Sequence, residues 1–418
     1  MPPRGRAAGA QAVSKSKVVV RMYRIGFGDC FLLLVPDGDR HRRILIDCGS
    51  IKRDPHLDKG AGAVAKQVIK DVTDDDGTPR IDVVIATHRH KDHVGGFADD
   101  VWDTVEVGEV WLPWTEAEDD PAATGLRALQ DRLADRLAAR LMAVNKPWLA
   151  ELAANARSNA DAMARLTSGF KTRARHKPRY LGAGEHDPKK IATPHLPGVD
   201  VHVLGPPRDE RVIGRELPQD DGELYLRLGA DADPGTPPSP DLLQPFGHQW
   251  VLDSPSYQLE ERHIGMLRDA VRFDPESVLA AIDDALNNTS LILVFEVGGR
   301  FLLFPGDAQW GPWQMILADD EAIGLLHKTS FYKVGHHASH NATPRDFVEA
   351  VVGKESAEPL AAMVSVTEHG SYSDIPRQPL MEALRRRFDH VAVSDVKGNQ
   401  SGFTRATKWS IDFEFEPA

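Results

Sequence analysis

Apolar positions in the first hundred residues come in short bursts of alternating or continuous hydrophobicity, the spacing of strands. Val18 to Ile25 and Phe31 to Val35 read as two strands paired across a turn from Gly26 to Cys30, and Arg42 to Asp47 reads as a third. From Gly60 to Val72 the period changes. Val64, Val68, Ile69 and Val72 recur at three- and four-residue intervals, which predicts a helix packed on the sheet. Ile81 to Ala86 is an apolar run that predicts a buried strand, and Val105 to Pro113 is another.

Beyond Pro113 the pattern turns helical. Leu126, Leu129, Leu133, Leu137 and Leu141 repeat at three and four, too briefly for a sustained coiled coil, so a core-facing or lid-facing helix is expected rather than a dimer seam. Val201 to Leu204 predicts a return strand, and Asp231 to Pro245, rich in Pro, Asp and Gly, predicts a long loop. Leu291 to Phe295 and Arg300 to Phe304 form a predicted hairpin about Gly298-Gly299, and Phe331 to Val334 and Met363 to Val366 are further strands. The chain therefore divides into a tail (1–16), a first strand-rich block (17–113), a helical and loop-rich insertion (114–286) and a second strand-rich block (287–418).

Composition narrows the class. A chain of 418 residues with 41% apolar residues can bury a substantial core. Its two cysteines, Cys30 and Cys48, lie in apolar stretches and provide no disulfide framework, which points to a reducing compartment and a cytoplasmic location. No run of ~18 apolar residues occurs, so no bilayer span is expected, and the basic start lacks the apolar segment of a secretory signal. A net charge of −12 argues against a broad nucleic-acid-binding face. The basic stretch Lys171 to Arg179 is read as a solvated helix end, with a phosphate-binding rim as the alternative.

The chemistry is concentrated in Thr87-His88-Arg89-His90-Lys91-Asp92-His93-Val94-Gly95-Gly96. His88 and His90, two apart, point the same way in an extended segment and can pinch one ion; Asp92 and His93, past the bend, can hold a second. Imidazole and carboxylate together suit a borderline divalent metal, zinc first, with manganese or iron as alternatives.

This run resembles the signature of the metallo-β-lactamase superfamily. Ile25 to Cys30, Leu45 to Gly49, Asn287 to Leu291, Phe304 to Ala308 and Lys333 to Ser339 occur in the order seen in the hydrolase-like domain of DNA-uptake competence proteins and its soluble relatives. The resemblance covers roughly residues 17–113 and 287–415. It implies an α/β fold, an αββα sandwich interrupted by the helical and loop-rich insertion, with a metal centre of two divalent ions at one edge.

The resemblance also suggests the remaining ligands. Asp307 leaves a buried strand where the superfamily uses a bridging carboxylate, although it could also cap the helix that follows. His336 and His337 are adjacent and cannot face the same way after a strand; His336 is favoured for the metal and His337 for orienting it or the substrate. The late Tyr-Gly-His-Pro run of these relatives is replaced by Thr367 to Pro376, so the last seat falls to His369, to Asp374, which is preferred, or to nothing. His195 and His202 are read as structural. Asp47 is expected to brace the histidine loop, Asp29 to do so or to serve only as a turn residue, and Asn288 and Ser290 to contact substrate.

The resulting expectation is a metal-dependent hydrolase in which Asp92 orients the attacking water and takes up its proton, acting on a small-molecule or nucleic-acid phosphodiester. The alternatives are an acyl hydrolase acting on a lactone, thioester or β-lactam, and a metal-containing binding protein with weakened catalysis. Oligomeric state and partner proteins are not legible.

Overall fold

A computed structural model describes residues 16–53, 60–128, 159–171, 177–213, 285–367 and 374–417. The leucine repeat from Leu129 onward, the loop from Asp231 to Pro245 and His369 lie outside the described residues.

Among the described residues fifteen strands form two mixed sheets. The first contains β1 (Val18–Tyr23), β2 (Phe31–Asp37), β3 (Arg40–Ile46), β4 (Arg80–Ile85), β5 (Glu106–Pro113) and β6 (Arg179–Leu181). The second contains β7 (Lys190–Ile191), β8 (Val199–Gly205), β9 (Ile292–Val297), β10 (Arg300–Phe304), β11 (Thr329–Lys333), β12 (Ala361–Val364) and β13 (His390–Val393). β14 (Arg405–Ala406) and β15 (Ser410–Phe415) return to the first sheet, whose order is β14-β15-β1-β2-β3-β4-β5-β6; the second runs β13-β12-β11-β10-β9-β8-β7. Each sheet is antiparallel on one side and parallel on the other, with β3 to β6 and β10 to β13 as the parallel blocks.

Alternation along the strands builds the layers. Val18, Val20 and Met22 on β1 and Leu33 and Val35 on β2 join Phe295, Leu302, Phe304 and Phe331 in the core between the sheets. Their neighbours Val19, Leu32, Leu34 and Leu45 face the other way, onto Val64, Ala65 and Val68 of the helix Ala61–Asp71. On the second sheet Val294, Leu303 and Tyr332 turn outward to the helices Trp310–Leu317, Asp320–Lys328 and Gln378–Arg387. The order helix, sheet, sheet, helix is the only one that lets both sheets be apolar on both faces.

Two features depart from the sequence pattern. Besides the expected return strand, found as β8, the range read as an insertion contributes β6 and β7 to the two sheets; both are too short to produce a readable alternation. The last strand, β15, crosses from the second block to pair with β1. Arg21 and Asp412 fasten that crossing, with Arg21 Nε and Nη2 donating to the two carboxylate oxygens at 2.8 and 2.7 Å, while Arg21 Nη1 and the Tyr23 hydroxyl both reach Asp71 on the first helix. Breaking one side of such a buried pair costs about 3–5 kcal/mol.

Phe304 sits at the middle of the sheet–sheet core, its ring centroid 5.8, 5.6 and 5.5 Å from those of Phe31, Phe295 and Phe331. Phe304→Ala is expected to lower unfolding free energy by about 3–5 kcal/mol in denaturant titration, the cost of a large core cavity. A loss under about 1 kcal/mol would show that the two sheets do not share this core.

Candidate metal centre

The parallel strands of both sheets end at one edge, where function in open α/β sheets usually gathers. β3 stops at Ile46 and delivers Asp47; β4 stops at Ile85 and delivers the histidine loop; β10 delivers Asp307; β11 ends in Lys333 and leads to His336 and His337. The Leu291 amide donates to the Thr87 carbonyl at 2.9 Å, stitching the two blocks directly beneath this edge.

Local backbone demands are strict here. A Cβ on Gly49 would lie 2.4 Å from the Lys91 carbonyl oxygen and 2.6 Å from the backbone of His93, so the loop can close over this position only if it is glycine. Gly306, with φ of +57°, turns the chain from β10 so that Asp307 faces inward. His336, His337 and Ala338 all adopt left-handed backbone, with φ of 44°, 53° and 65°. Three consecutive non-glycine residues in this region store roughly 1–2 kcal/mol each.

Asp92, His93, Asp307 and His337 are all buried, and each offers one ligand atom within 4.8 Å of the others. His93 Nε2 lies 3.0 Å from Asp307 Oδ2, and His337 Nε2 lies 3.3 Å from Asp92 Oδ2 and 3.6 Å from Asp307 Oδ2. Beside this quartet, His88 Nε2 and His90 Nδ1 face each other at 3.0 Å. The ring planes of His88 and His93 approach to 4.1 Å between centroids. Each of three imidazoles has its Nδ1 engaged away from the centre. His93 Nδ1 donates to Asp47 Oδ2 at 2.8 Å, His337 Nδ1 donates to the Ser365 carbonyl at 2.8 Å, and His88 Nδ1 contacts Ser290 Oγ and Thr87 Oγ1, both at 3.2 Å. The carboxylate and carbonyl partners fix the tautomers of His93 and His337 and leave Nε2 as the inward donor atom, the arrangement that metal-ligating histidines adopt. Asp92 Oδ1 is buried with no hydrogen-bond partner, an orphan anionic oxygen that a cation would satisfy. The donor set thus fits a divalent metal.

The electrostatics agree. Burial pulls His88 well below the ordinary imidazole range and lowers His90 to about 4, with neighbouring imidazoles adding to the effect in both, so both are neutral and can offer lone pairs. Burial also opposes charge on His93 and His337, yet Asp307 and Asp47 raise the first, and Asp307, Asp92 and Asp29 raise the second. Asp92 and Asp307 move the opposite way: burial would raise them, but His337 and His93 for Asp92, and His93 and Lys333 for Asp307, hold them below the usual carboxylate range. Without a metal, the carboxylates thus favour protons on these two imidazoles, the electrostatic role that a cation would otherwise take.

The structure separates the sequence candidates into those inside the quartet and those around it. His337, not the favoured His336, turns its ring into the quartet; His336 stands beside it, its amide donating to Asp307 Oδ1 at 3.2 Å and its ring near Asn287. Asp374 is largely exposed and paired with Arg377 at 3.5 Å, away from the cluster. Asn288 and Ser290, expected at the substrate, are buried in the scaffold: Asn288 bonds the Gln309 amide and the Ile213 carbonyl, and Ser290 Oγ accepts the Asp307 amide at 3.0 Å. Asp47 accepts the Thr87 amide and hydroxyl, each at 2.7 Å, besides His93. Asp29 meets Lys333. His202 bonds Glu296 on the far part of the second sheet, and His195 packs against Gly108, so neither joins the centre.

Lys333 and Ser365 escaped sequence reasoning. Lys333 had a signal, a cation at the end of the buried strand Thr329–Lys333 just before the paired histidines. Ser365 acts through its carbonyl and had none.

No protein-family model matches the chain. Over 112 residues, 27% of its length, it is 29% identical to ComE operon protein 3 of Bacillus subtilis (strain 168), and it spans 13% of that protein. Among the described residues no helix is long and apolar enough to cross a membrane.

Two outcomes follow from this geometry. Gly49→Ala must push the histidine loop outward, and metal affinity measured by competition with a chromogenic chelator is expected to fall about 10–100-fold; unchanged affinity would contradict the close approach. The second concerns pH. The raised imidazoles of His93 and His337 stabilise the metal-free fold fully below their unfolded value of 6.5, and that contribution is lost as pH rises through their elevated folded values. In chelator the melting temperature is therefore expected to decline as pH rises above 6.5, while metal affinity strengthens because the ion competes with those protons. A metal-free melting temperature that climbs over this range would refute the assignment.

Proposed function

We propose that the protein is a hydrolase of the metallo-β-lactamase superfamily that cleaves phosphodiester bonds with two divalent cations, zinc foremost. The observation that carries this reading is the buried quartet Asp92, His93, Asp307 and His337, whose two imidazoles are each anchored through Nδ1 and present Nε2 to a common point. The order of the strand-end motifs, shared with the hydrolase-like domain of competence proteins, supports the superfamily and the phosphodiester class. The likeness to ComE operon protein 3 agrees with it.

The quartet would hold one ion. His88 and His90, beside Asp307, would hold the other. When bound, the cations supply a water of lowered pKa and neutralise charge on the attacked phosphoryl oxygens. Asp92 Oδ1 is placed to accept a hydrogen bond from the attacking water, and its depressed pKa keeps it ionised for that purpose. Asp47 and the Ser365 carbonyl keep the ligand rings from rotating, so no reorganisation is required when charge develops. The net charge of −12 favours a small phosphodiester over a long nucleic acid, since few cations are spare to neutralise a phosphate backbone.

The test is a substrate panel assayed with the zinc- and manganese-loaded protein: bis(p-nitrophenyl) phosphate, cyclic and linear dinucleotides, DNA and RNA, beside a lactone, a thioester and a β-lactam. Turnover of phosphodiesters is expected, abolished by chelator and reduced about 100-fold or more in Asp307→Asn. Turnover confined to the acyl compounds would replace this reading with an acyl hydrolase, and no turnover with metal bound would leave a binding protein.

A further inference from the structure

A second buried group of ligand-type residues, Asp29, Asp47 and His93, lies directly beside the quartet and shares His93 with it. By donor chemistry alone it is as good a cation site as the first. It already contains a cation. Lys333 is 2% exposed, and its ammonium contacts Asp29 Oδ2, stands 3.3 Å from Asp307 Oδ1 and donates to the Gly306 carbonyl at 3.0 Å. Asp29 belongs to the turn before β2 in the first sheet, Lys333 to the end of β11 in the second, and Asp307 to the exit of β10. One ammonium therefore joins three strand ends from both sheets.

We propose that Lys333 is a built-in cation that replaces a metal ion at the Asp29–Asp47 side of the centre and, by holding Asp307 Oδ1, leaves Asp307 Oδ2 as the single oxygen available to the metals. This rests on the reading of Asp92, His93, Asp307 and His337 as metal ligands. The His336 amide reinforces the arrangement by donating to the same Asp307 Oδ1 at 3.2 Å. With that oxygen doubly occupied, the carboxylate cannot rotate, and Oδ2 remains 3.0 Å from His93 Nε2 and 3.6 Å from His337 Nε2. Lys333 is in these terms a positioning residue. A tethered ammonium also differs from an ion in having no exchange with solvent, so one charge of the centre persists when metal is scarce.

Anomalous scattering from manganese-soaked crystals of the full chain tests the placement directly. The expected result is a peak bonded to the quartet, none between Asp29 and Asp47, and Lys333 still on Asp29 and Asp307. A peak between Asp29 and Asp47 with the ammonium displaced overturns the inference. Absence of any peak, with no metal in calorimetry, removes the metal-centre reading and this inference with it. The positioning role is tested by calorimetric metal binding to Lys333→Met, which keeps the volume and removes the charge, and to the charge-balanced double variant Lys333→Met/Asp29→Asn should the single one fail to fold. Affinity about tenfold weaker in a variant that still melts cooperatively is expected. Lys333→Ala supplemented with n-propylammonium is expected to recover part of that affinity, which a neutral alcohol of the same length would not restore. Wild-type affinity in the folded double variant overturns the role of Lys333.

Discussion

Buried negative charge is the constraint around which this protein is organised. Asp29, Asp47, Asp92 and Asp307 are each 4% exposed or less and crowd one edge of the sandwich, where an uncompensated carboxylate costs several kcal/mol. Every neighbouring feature answers that cost. Lys333 provides a tethered cation, the carboxylates favour protons on His93 and His337, and the Thr87 and His336 amides and the Thr87 hydroxyl donate to Asp47 and Asp307. On the proposed reading a divalent cation displaces the protons and leaves the lysine and the amides in place.

The fold supplies the concentration of charge by bringing strand ends together. Asp47, the histidine loop, Asp307 and the paired histidines all follow the last residue of a parallel strand, two in each sheet, so sheet-to-sheet packing sets the distance between the two sets of ligands. The aromatic core around Phe304 lies only three residues from Asp307, which couples the position of a ligand to the packing between the sheets. The strained left-handed turn at His336 to Ala338 is stabilised where its cost is offset, by the His337 bond to Ser365 and the His336 amide bond to Asp307. Chain closure adds to this. β15 locks onto β1 through Arg21 and Asp412, so a strand from the end of the chain braces the sheet that carries the histidine loop.

The quartet gathers four donors, whereas the imidazoles of His88 and His90 stand beside it as a pair, and neither His195 nor His202 reaches the edge. The electrostatics divide the same way: neighbouring carboxylates raise His93, the ring that the quartet shares with the Asp29–Asp47 group, whereas burial lowers His88 and His90.

Local spacing made much of this legible in the chain. His88, His90, Asp92 and His93 stand within six residues behind an apolar run, and no tertiary contact is needed to see that they gather; alternation in β1, β2, β9 and β10 likewise announces a sheet core. What spacing could not resolve were choices that hinge on one dihedral or on residues far apart. His336 and His337 differ by one position, and a left-handed φ decided which ring turns inward. Ser290 reads as a substrate contact until its hydroxyl is seen bonded to both His88 and the Asp307 amide. Lys333 has no assigned role in the sequence until Asp29, some three hundred residues earlier, is placed against it. Sequence alone determined which residue types could hold a cation and which stretch would carry them, since both follow from periodicity along a short run. Tertiary structure alone decided which oxygen and which ring face the centre and which ammonium stands against the buried carboxylates, because these depend on where separate strands end in space.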